Sequence, residues 1–305
     1  MYNLNSIQNA LKNPKLIARE LNRLYYTRLY TNGYSDGCYI VDEDWDNLII
    51  LDGCRYDLYV QNNILEGDLE SKQSIASETQ GFLSGNFSGK SLEDTVYVTA
   101  NPMFERNKED LDVDFHSVHN VWVDEGWDEE LGTLKPETMT ENSIRINKKY
   151  PEKRMIFHYM QPHYPFISSK TTFDKVGALD EPSNPVPWKE IMKNNVVVDE
   201  ENVWKAYEEN LINALHNLKK LLPALVGKTV VTSDHGNMIG DRSFPIPIKE
   251  FGHPHKIFTP ELVTVPWHVL PFNSRKGVTK GTPEVNDNDV DEEEVKNKLR
   301  DLGYV

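Results

Sequence analysis

The sequence predicts an α/β protein built on a mostly parallel sheet, and three observations carry that expectation. Asn47 to Asp52 reads as a buried strand ending in a carboxylate, and a short β-branched run opens the stretch Thr229 to Gly236. Gly53 follows Asp52 at once, and the second run delivers Asp234 and His235 to a strand end with Gly236 to turn the chain. Between them, Val203, Trp204, Tyr207, Leu211, Leu215, Leu218 and Leu222 mark a long amphipathic helix that Pro223 closes. That helix leads through Gly227 straight into the second run, the helix-to-strand step of a parallel sheet. A chain of 305 residues with 38% hydrophobic content is long enough to form one large domain of this kind.

The chain taken in order starts with a helix signal, Asn13 as cap and Pro14 at the first helical position, with Ile17, Leu21, Leu24 and Tyr25 on one face and Lys15, Arg19 and Arg23 on the other. Docking of this helix on its own domain is the favoured reading; peripheral contact with a membrane is the less favoured one. Asp52 then stands where ligands bind in open α/β sheets, or caps the helix that follows. Arg55 and Asp57 are placed to brace that loop, and Cys54 reads as a small packed residue.

In the polar stretch from Ser71 to Gly89, Phe82, Leu83 and Phe87 suggest a short helix starting near Ser77 or Thr79. A hydroxyl at such a start is either an N-cap or a nucleophile helped by the helix dipole and a metal. Val96 to Thr99 is a strand broken by Asn101-Pro102, and Glu109 to Glu130 reads as an acidic surface excursion anchored by Trp122 and Trp127. Glu141 to Lys149 has helical composition, ending at Pro151. The strand from Met155 to Met160 then runs into a loop in which Pro162 and Pro165 flank His163 and hold its imidazole with little entropy to lose. His158, inside that strand, reads as a packed, hydrogen-bonded imidazole.

The connector from Ser168 to Asp199 has the length of a lid or substrate loop, or is a plain exposed insertion. His253 and His255 lie in a Gly/Pro loop before the strand Val265 to Leu270, where a ligand can reach the same sheet edge. The acidic stretch Glu284 to Glu294 precedes a last helix anchored by Val295, Leu299 and Leu302. The expected organisation is an N-terminal helix and connector over 1–46, a catalytic domain over 47–283 and an acidic tail with a short helix over 284–305.

Composition excludes some partners. The 33 basic against 48 acidic residues give a formal charge of −15, which argues against nucleic acid or an anionic membrane as the main partner. Cys38 and Cys54 form no disulfide framework and no Cys-x-x-Cys metal motif. With no signal-peptide core and no apolar run of the roughly 20 residues a bilayer requires, the expected location is cytoplasmic.

The ordered parts resemble the alkaline phosphatase superfamily, and within it the sulfatase-like branch. The resemblance is carried by Asp52 at a strand end, the hydroxyl-bearing helix start by Thr79, H-Y-M-Q-P-H-Y-P-F over His158 to Phe166, T-S-D-H-G over Thr232 to Gly236, E-L-V-T-V-P-W over Glu261 to Trp267, and the closing Leu302-Gly303-Tyr304-Val305. It implies a three-layer αβα sandwich and a phosphate- or sulfate-ester hydrolase or transferase. It further implies one or two divalent ions (zinc, manganese, magnesium or calcium), held by Asp52, Asp234 and His235, with His163 and His253 on the ester group or a second ion. The Cys-x-Pro-Ser-Arg run that sulfatases modify to formylglycine does not occur; Ser77-Glu78-Thr79-Gln80-Gly81 takes its place, with Thr79 favoured over Ser77 as nucleophile. The implied substrate is a small-molecule ester or one linked to carbohydrate or lipid. The competing reading is a catalytically weak relative that binds an anionic ligand or a partner protein through the same pocket.

Overall fold

The computed structural model describes residues 13–30, 37–124, 126–167, 188–192, 196–284 and 290–304. Most of the connector from Ser168 to Asp199, expected as a lid or an insertion, lies outside these residues. The main strands are β1 (Asn47–Leu51), β2 (Asp68–Gln73), β3 (Ser91–Thr99), β4 (Asp114–Asn120), β5 (Arg154–Tyr159), β6 (Thr229–Thr232), the hairpin β7 (Met238–Arg242) and β8 (Lys249–Gly252), and β9 (Thr264–Val269). Seven of them form one sheet in the order β2-β9-β6-β1-β5-β3-β4. The neighbours β6-β1, β1-β5, β5-β3 and β3-β4 are parallel, while β9 runs antiparallel to both β6 and β2. The expected mostly parallel sheet is present.

β1 lies in the middle of the sheet, and all five of its residues are buried. Its side chains alternate between two cores, which is why it reads as an unbroken apolar run. Leu48 and Ile50 join Tyr97, Ile156 and Val230 beneath α3 (Thr79–Phe87), α4 (Met103–Leu111) and α7 (Glu292–Asp301), which contribute Phe82, Phe87, Met103, Phe104 and Leu299. Ile49 and Leu51 join Val98, Phe157 and Val231 beneath α2 (Tyr56–Asn62), α5 (Pro136–Lys149) and α6 (Glu200–Leu221), which contribute Leu58, Ile146, Leu211, Leu215 and Leu218. The result is the three-layer αβα sandwich. The Asp199 side chain caps α6 by accepting from the Glu201 and Asn202 amides, and Val203, Tyr207, Leu211, Leu215 and Leu218 form its buried face as the sequence pattern implies.

The structure departs from the sequence pattern in three places. The stretch from Glu109 to Glu130 is not wholly a surface excursion: it contains β4, the edge strand paired parallel to β3, with Phe115 and Ser117 turned inward. His116 and His119 hide the apolar alternation there. The charged run D-L-E-S-K-Q is β2, at the opposite edge, where exposed charges are compatible with pairing on one side only. Helix α1 (Pro14–Leu24) does start at an Asn13 cap and does dock, but through its polar residues. Arg19 pairs with Glu250, and buried Asn22 exchanges hydrogen bonds with the Ile246 backbone at 2.9 and 2.8 Å, while Ile17 and Leu21 remain 39% and 49% exposed.

The turn after β6 requires the smallest residue. A Cβ on Gly236 would sit 2.0 Å from the Glu261 carbonyl oxygen, and the Gly236 amide donates to the Leu262 carbonyl at 2.7 Å. Gly236→Ala is expected to cost about 1–3 kcal/mol, the usual scale for overpacking, read as a lower urea midpoint in metal-free protein; an unchanged midpoint would contradict this packing.

Candidate active site

Because β6, β1, β5 and β3 are parallel neighbours, the residues after them emerge at one edge of the sheet. Asp52 follows β1, Ser233, Asp234 and His235 follow β6, the His163 loop follows β5, and Asn101 follows β3. Ser233 ties the first two strand ends together: its Oγ lies 2.6 Å from the carbonyls of both Leu51 and His235 and accepts the Cys54 amide at 2.8 Å. Gly53, at φ +65°, turns its amide onto Asp234 Oδ1 at 2.9 Å, and the His235 amide reaches the same oxygen at 2.9 Å. Asp234 is thereby fixed through one oxygen, leaving Oδ2 for the interior of the site.

Ligand atoms of Asp52, Asp234 and His235 all lie within 4.8 Å of one another, and all three residues are fully buried. His235 Nε2 is 3.3 Å from Asp234 Oδ2 and 3.8 Å from Asp52 Oδ1. His235 Nδ1 lies 2.7 Å from the Gly236 carbonyl, which only accepts; Nδ1 therefore carries the proton, and Nε2 is directed at the carboxylates. Among the described residues no lysine or arginine pairs with Asp52 or Asp234; nearby Arg55 is held by Asp57 and Asp241 at 2.6 and 2.8 Å. Asp52 Oδ1 has no hydrogen-bond partner there. Two buried carboxylates without a strong cation are costly, so this donor set fits a divalent metal, and its mixture of oxygen and imidazole nitrogen suits zinc or manganese.

The electrostatics follow from the same crowding. Burial pushes the Asp52 carboxyl up, but the neighbouring imidazoles of His163, His158 and His235 outweigh it and hold Asp52 well below the usual carboxylate range. Asp234, buried beside that charge, is pushed up. Burial opposes protonation of His235, yet Asp234 and Asp52 raise it, whereas burial lowers His163, and burial together with the neighbouring His235 and His163 lowers His253.

Thr79 is the first residue of α3, and the cap is Glu78, whose carboxylate accepts the Gly81 amide at 2.9 Å. The Thr79 hydroxyl is therefore not used in capping. Its Oγ1 lies 2.9 Å from Asp234 Oδ2 and 3.1 Å from His235 Nε2. Ser77 Oγ instead donates to the Pro254 carbonyl at 3.0 Å, so of the two candidate hydroxyls only Thr79 joins the cluster. His163 and His253 are also there, their Nε2 atoms facing each other at 2.9 Å, with the His253 ring 4.6 Å from that of His235. His253 is thus beside the convergent trio rather than within it. His255 pairs with Glu78 outside the cluster. Cys54 is buried and its thiol pushed well up by burial, as suits a packed residue.

Sequence reasoning missed three neighbours. His158 does pack and bond through Nδ1 to the Tyr97 hydroxyl at 2.7 Å, but its unpartnered Nε2 faces Asp52 and Asp234 at 3.7 and 4.0 Å. Asn101 donates to Asp52 Oδ2; its position just past a strand was the available signal, read only as a strand break. Tyr304 brings its hydroxyl to 3.1 Å from both Thr79 Oγ1 and Asp52 Oδ2; the closing Leu302-Gly303-Tyr304-Val305 was the available signal, read only as part of the resemblance.

No family model and no curated protein matches the chain. Solved structures similar to it include the integral membrane lipooligosaccharide phosphoethanolamine transferase A of Neisseria meningitidis, with 14% identity and a TM-score of 0.47 over 73% of this chain and 47% of that one. The C-terminal periplasmic domain of phosphoethanolamine transferase EptC from Campylobacter jejuni has 14% identity and a TM-score of 0.44, over 72% and 76% of the two chains. The corresponding domain of EcEptC from Escherichia coli in complex with zinc has 14% identity and a TM-score of 0.42, over 76% and 75%. This chain thus spans about half the length of the first of them. The expectation of a cytoplasmic protein is corrected here and not retained, because these similar proteins are described as periplasmic domains or as an integral membrane protein. Among the described residues no helix is long and apolar enough to cross a membrane. In its αβα sandwich the chain agrees with the resemblance to the alkaline phosphatase superfamily, sulfatase-like branch, drawn from its sequence.

Proposed function

We propose that the chain is a metal-dependent enzyme that hydrolyses or transfers a phosphate ester through Thr79, with Asp52, Asp234 and His235 as the residues that would hold the cation. The observation that carries this reading is the Thr79 hydroxyl, buried and 2.9 Å from Asp234 Oδ2, in a pocket of two carboxylates that no lysine or arginine among the described residues neutralises. A bound divalent cation would supply the positive charge that favours the ionised hydroxyl and offsets charge on the transferring group.

The protein's own groups and water account for the protons. Asp234 Oδ2 takes the Thr79 proton as Oγ1 bonds to phosphorus and the bond from phosphorus to the leaving oxygen breaks. The leaving oxygen departs as its anion and takes its proton from water, because in the facing His163–His253 pair one Nε2 donates and the other accepts, which makes both rings neutral and the pair a base. Water or an acceptor alcohol then attacks the phosphothreonine and gives its proton to the neutral pair, which passes it on to solvent, while Asp234 restores the Thr79 hydroxyl as the bond from Oγ1 to phosphorus breaks. His253, the half-buried member, places the incoming ester on its side of the cluster. The proposed substrates are small-molecule phosphate esters or esters linked to carbohydrate or lipid; a sulfate ester presents a similar tetrahedral oxyanion, and parallel assays on aryl phosphate and aryl sulfate separate the two.

Metal binding should be visible without turnover. Manganese or zinc at about 100 times its Kd should stabilise the protein by about 2.7 kcal/mol, and Asp52→Asn or Asp234→Asn should abolish that gain at the same concentration; an undiminished gain in both variants would contradict the assignment. Thr79→Ala is expected to lower kcat on an aryl phosphate on the order of 10³-fold or more, the scale of losing a nucleophile, while Ser77→Ala stays within about twofold of the parent. The reverse pattern would move the nucleophile to Ser77, and full activity in both variants would remove the hydroxyl mechanism.

A further inference from the structure

We propose that Tyr304 is a further catalytic residue, its hydroxyl holding Thr79 Oγ1 in place for attack and its ring forming a wall of the site against His163. The proposal rests on the reading of Thr79 as nucleophile.

The placement of Tyr304 is built by the end of α7. Asp291 caps the start of that helix by accepting the Glu293 amide, and Val295, Leu299 and Leu302 bury its inner side. At the other end Gly303 adopts φ +78°, a left-handed conformation that glycine takes at no steric cost. The Gly303 amide donates to the Arg300 carbonyl at 2.9 Å and the Tyr304 amide to the Leu299 carbonyl at 2.9 Å, the paired bonds of a Schellman motif. This reversal points the Tyr304 side chain away from α7 and into the strand-end cluster.

There the ring stacks on His163, with centroids 5.0 Å apart and planes at 8°, and lies 5.4 Å from the His253 ring. The hydroxyl lies 3.1 Å from Thr79 Oγ1, 3.1 Å from Asn101 Nδ2 and 3.1 Å from Asp52 Oδ2. Counting hydrogens narrows the roles. Asn101 Nδ2 only donates and a carboxylate only accepts, while the single Thr79 hydrogen is aimed at Asp234 Oδ2. Asp52 Oδ2 receives a hydrogen from Asn101 and has a second lone pair for that of Tyr304, with Thr79 Oγ1 at the same 3.1 Å from the Tyr304 hydroxyl; once the Thr79 proton has left, Oγ1 is a charged acceptor to which the Tyr304 hydrogen can turn. The Tyr304 hydroxyl, hydrogen-bonded to Thr79 Oγ1, restricts rotation of the nucleophile, and its hydrogen, turned to Oγ1, stabilises the negative charge there both when the Thr79 proton leaves and when the phosphothreonine bond later breaks.

Tyr304→Phe removes the hydroxyl and keeps the stacked ring, and Tyr304→Leu removes both. With manganese and an aryl phosphate, Tyr304→Phe should lower kcat and kcat/KM together by about 10- to 100-fold with KM within about twofold. It should keep the metal-dependent rise in Tm, a readout that does not require turnover. Thr79→Ala is run in parallel to separate the two readings. If Thr79→Ala is inactive and Tyr304→Phe matches the parent, the role of Tyr304 is overturned while Thr79 stands; a stability loss confined to Tyr304→Leu would then mark a purely structural ring. If Thr79→Ala keeps full activity, the Thr79 reading fails and the role of Tyr304 falls with it.

Discussion

The structure is organised around two carboxylates that have been taken out of water side by side. Asp52 and Asp234 are fully buried at the ends of adjacent parallel strands, and among the described residues only imidazoles, hydroxyls and amides surround them. Burial favours the neutral acid and each charge disfavours the other, so the pair is tolerable only with strong compensation. Part of that compensation is the histidines, and part is the backbone amides of Gly53 and His235 on Asp234 Oδ1. The remainder is what a divalent cation would provide. The central sheet supports this arrangement directly, because β1 and β6 pair in parallel register from Asn47↔Thr229 to Ile50↔Thr232 and so deliver both acids to one place.

The helices complete what the strands begin. Glu78 takes the capping role at the start of α3, which frees the Thr79 hydroxyl to point inward, and the Schellman turn after α7 brings Tyr304 from the far end of the sequence to the same oxygen. Two imidazoles, His235 and His163, each have Nδ1 against a backbone carbonyl, of Gly236 and Tyr164, so that Nε2 faces the chemistry. The site is thus a set of side chains whose free atoms have been selected by what their other atoms are bonded to.

Much of this was legible in the sequence, for identifiable reasons. Asp52, Asp234 and His235 follow strongly apolar runs, and a strand buried on both faces has no other way to read. The helix that begins at Thr79 was also visible, but whether Ser77 or Thr79 points inward depends on two residues of backbone path and on Glu78 serving as the cap, and composition does not encode that. The edge strands β2 and β4 were not legible, because one-sided pairing tolerates charges and histidines that erase the alternation. His158 was read as core packing and proves to be packed on one nitrogen and exposed to the carboxylates on the other. The docking of α1 through Arg19 and Asn22 depends on partners more than 220 residues away, which no local pattern carries.

The most direct test of the account is a crystal structure of the protein soaked with zinc, with the ion located by anomalous scattering. The account predicts one ion bonded to Asp52, Asp234 and His235 Nε2 at about 2.0–2.2 Å, with Thr79 Oγ1 the nearest hydroxyl. Zinc bound elsewhere while these three residues stay empty at saturating metal, or an ion approached by Ser77 with Thr79 turned away, would contradict it.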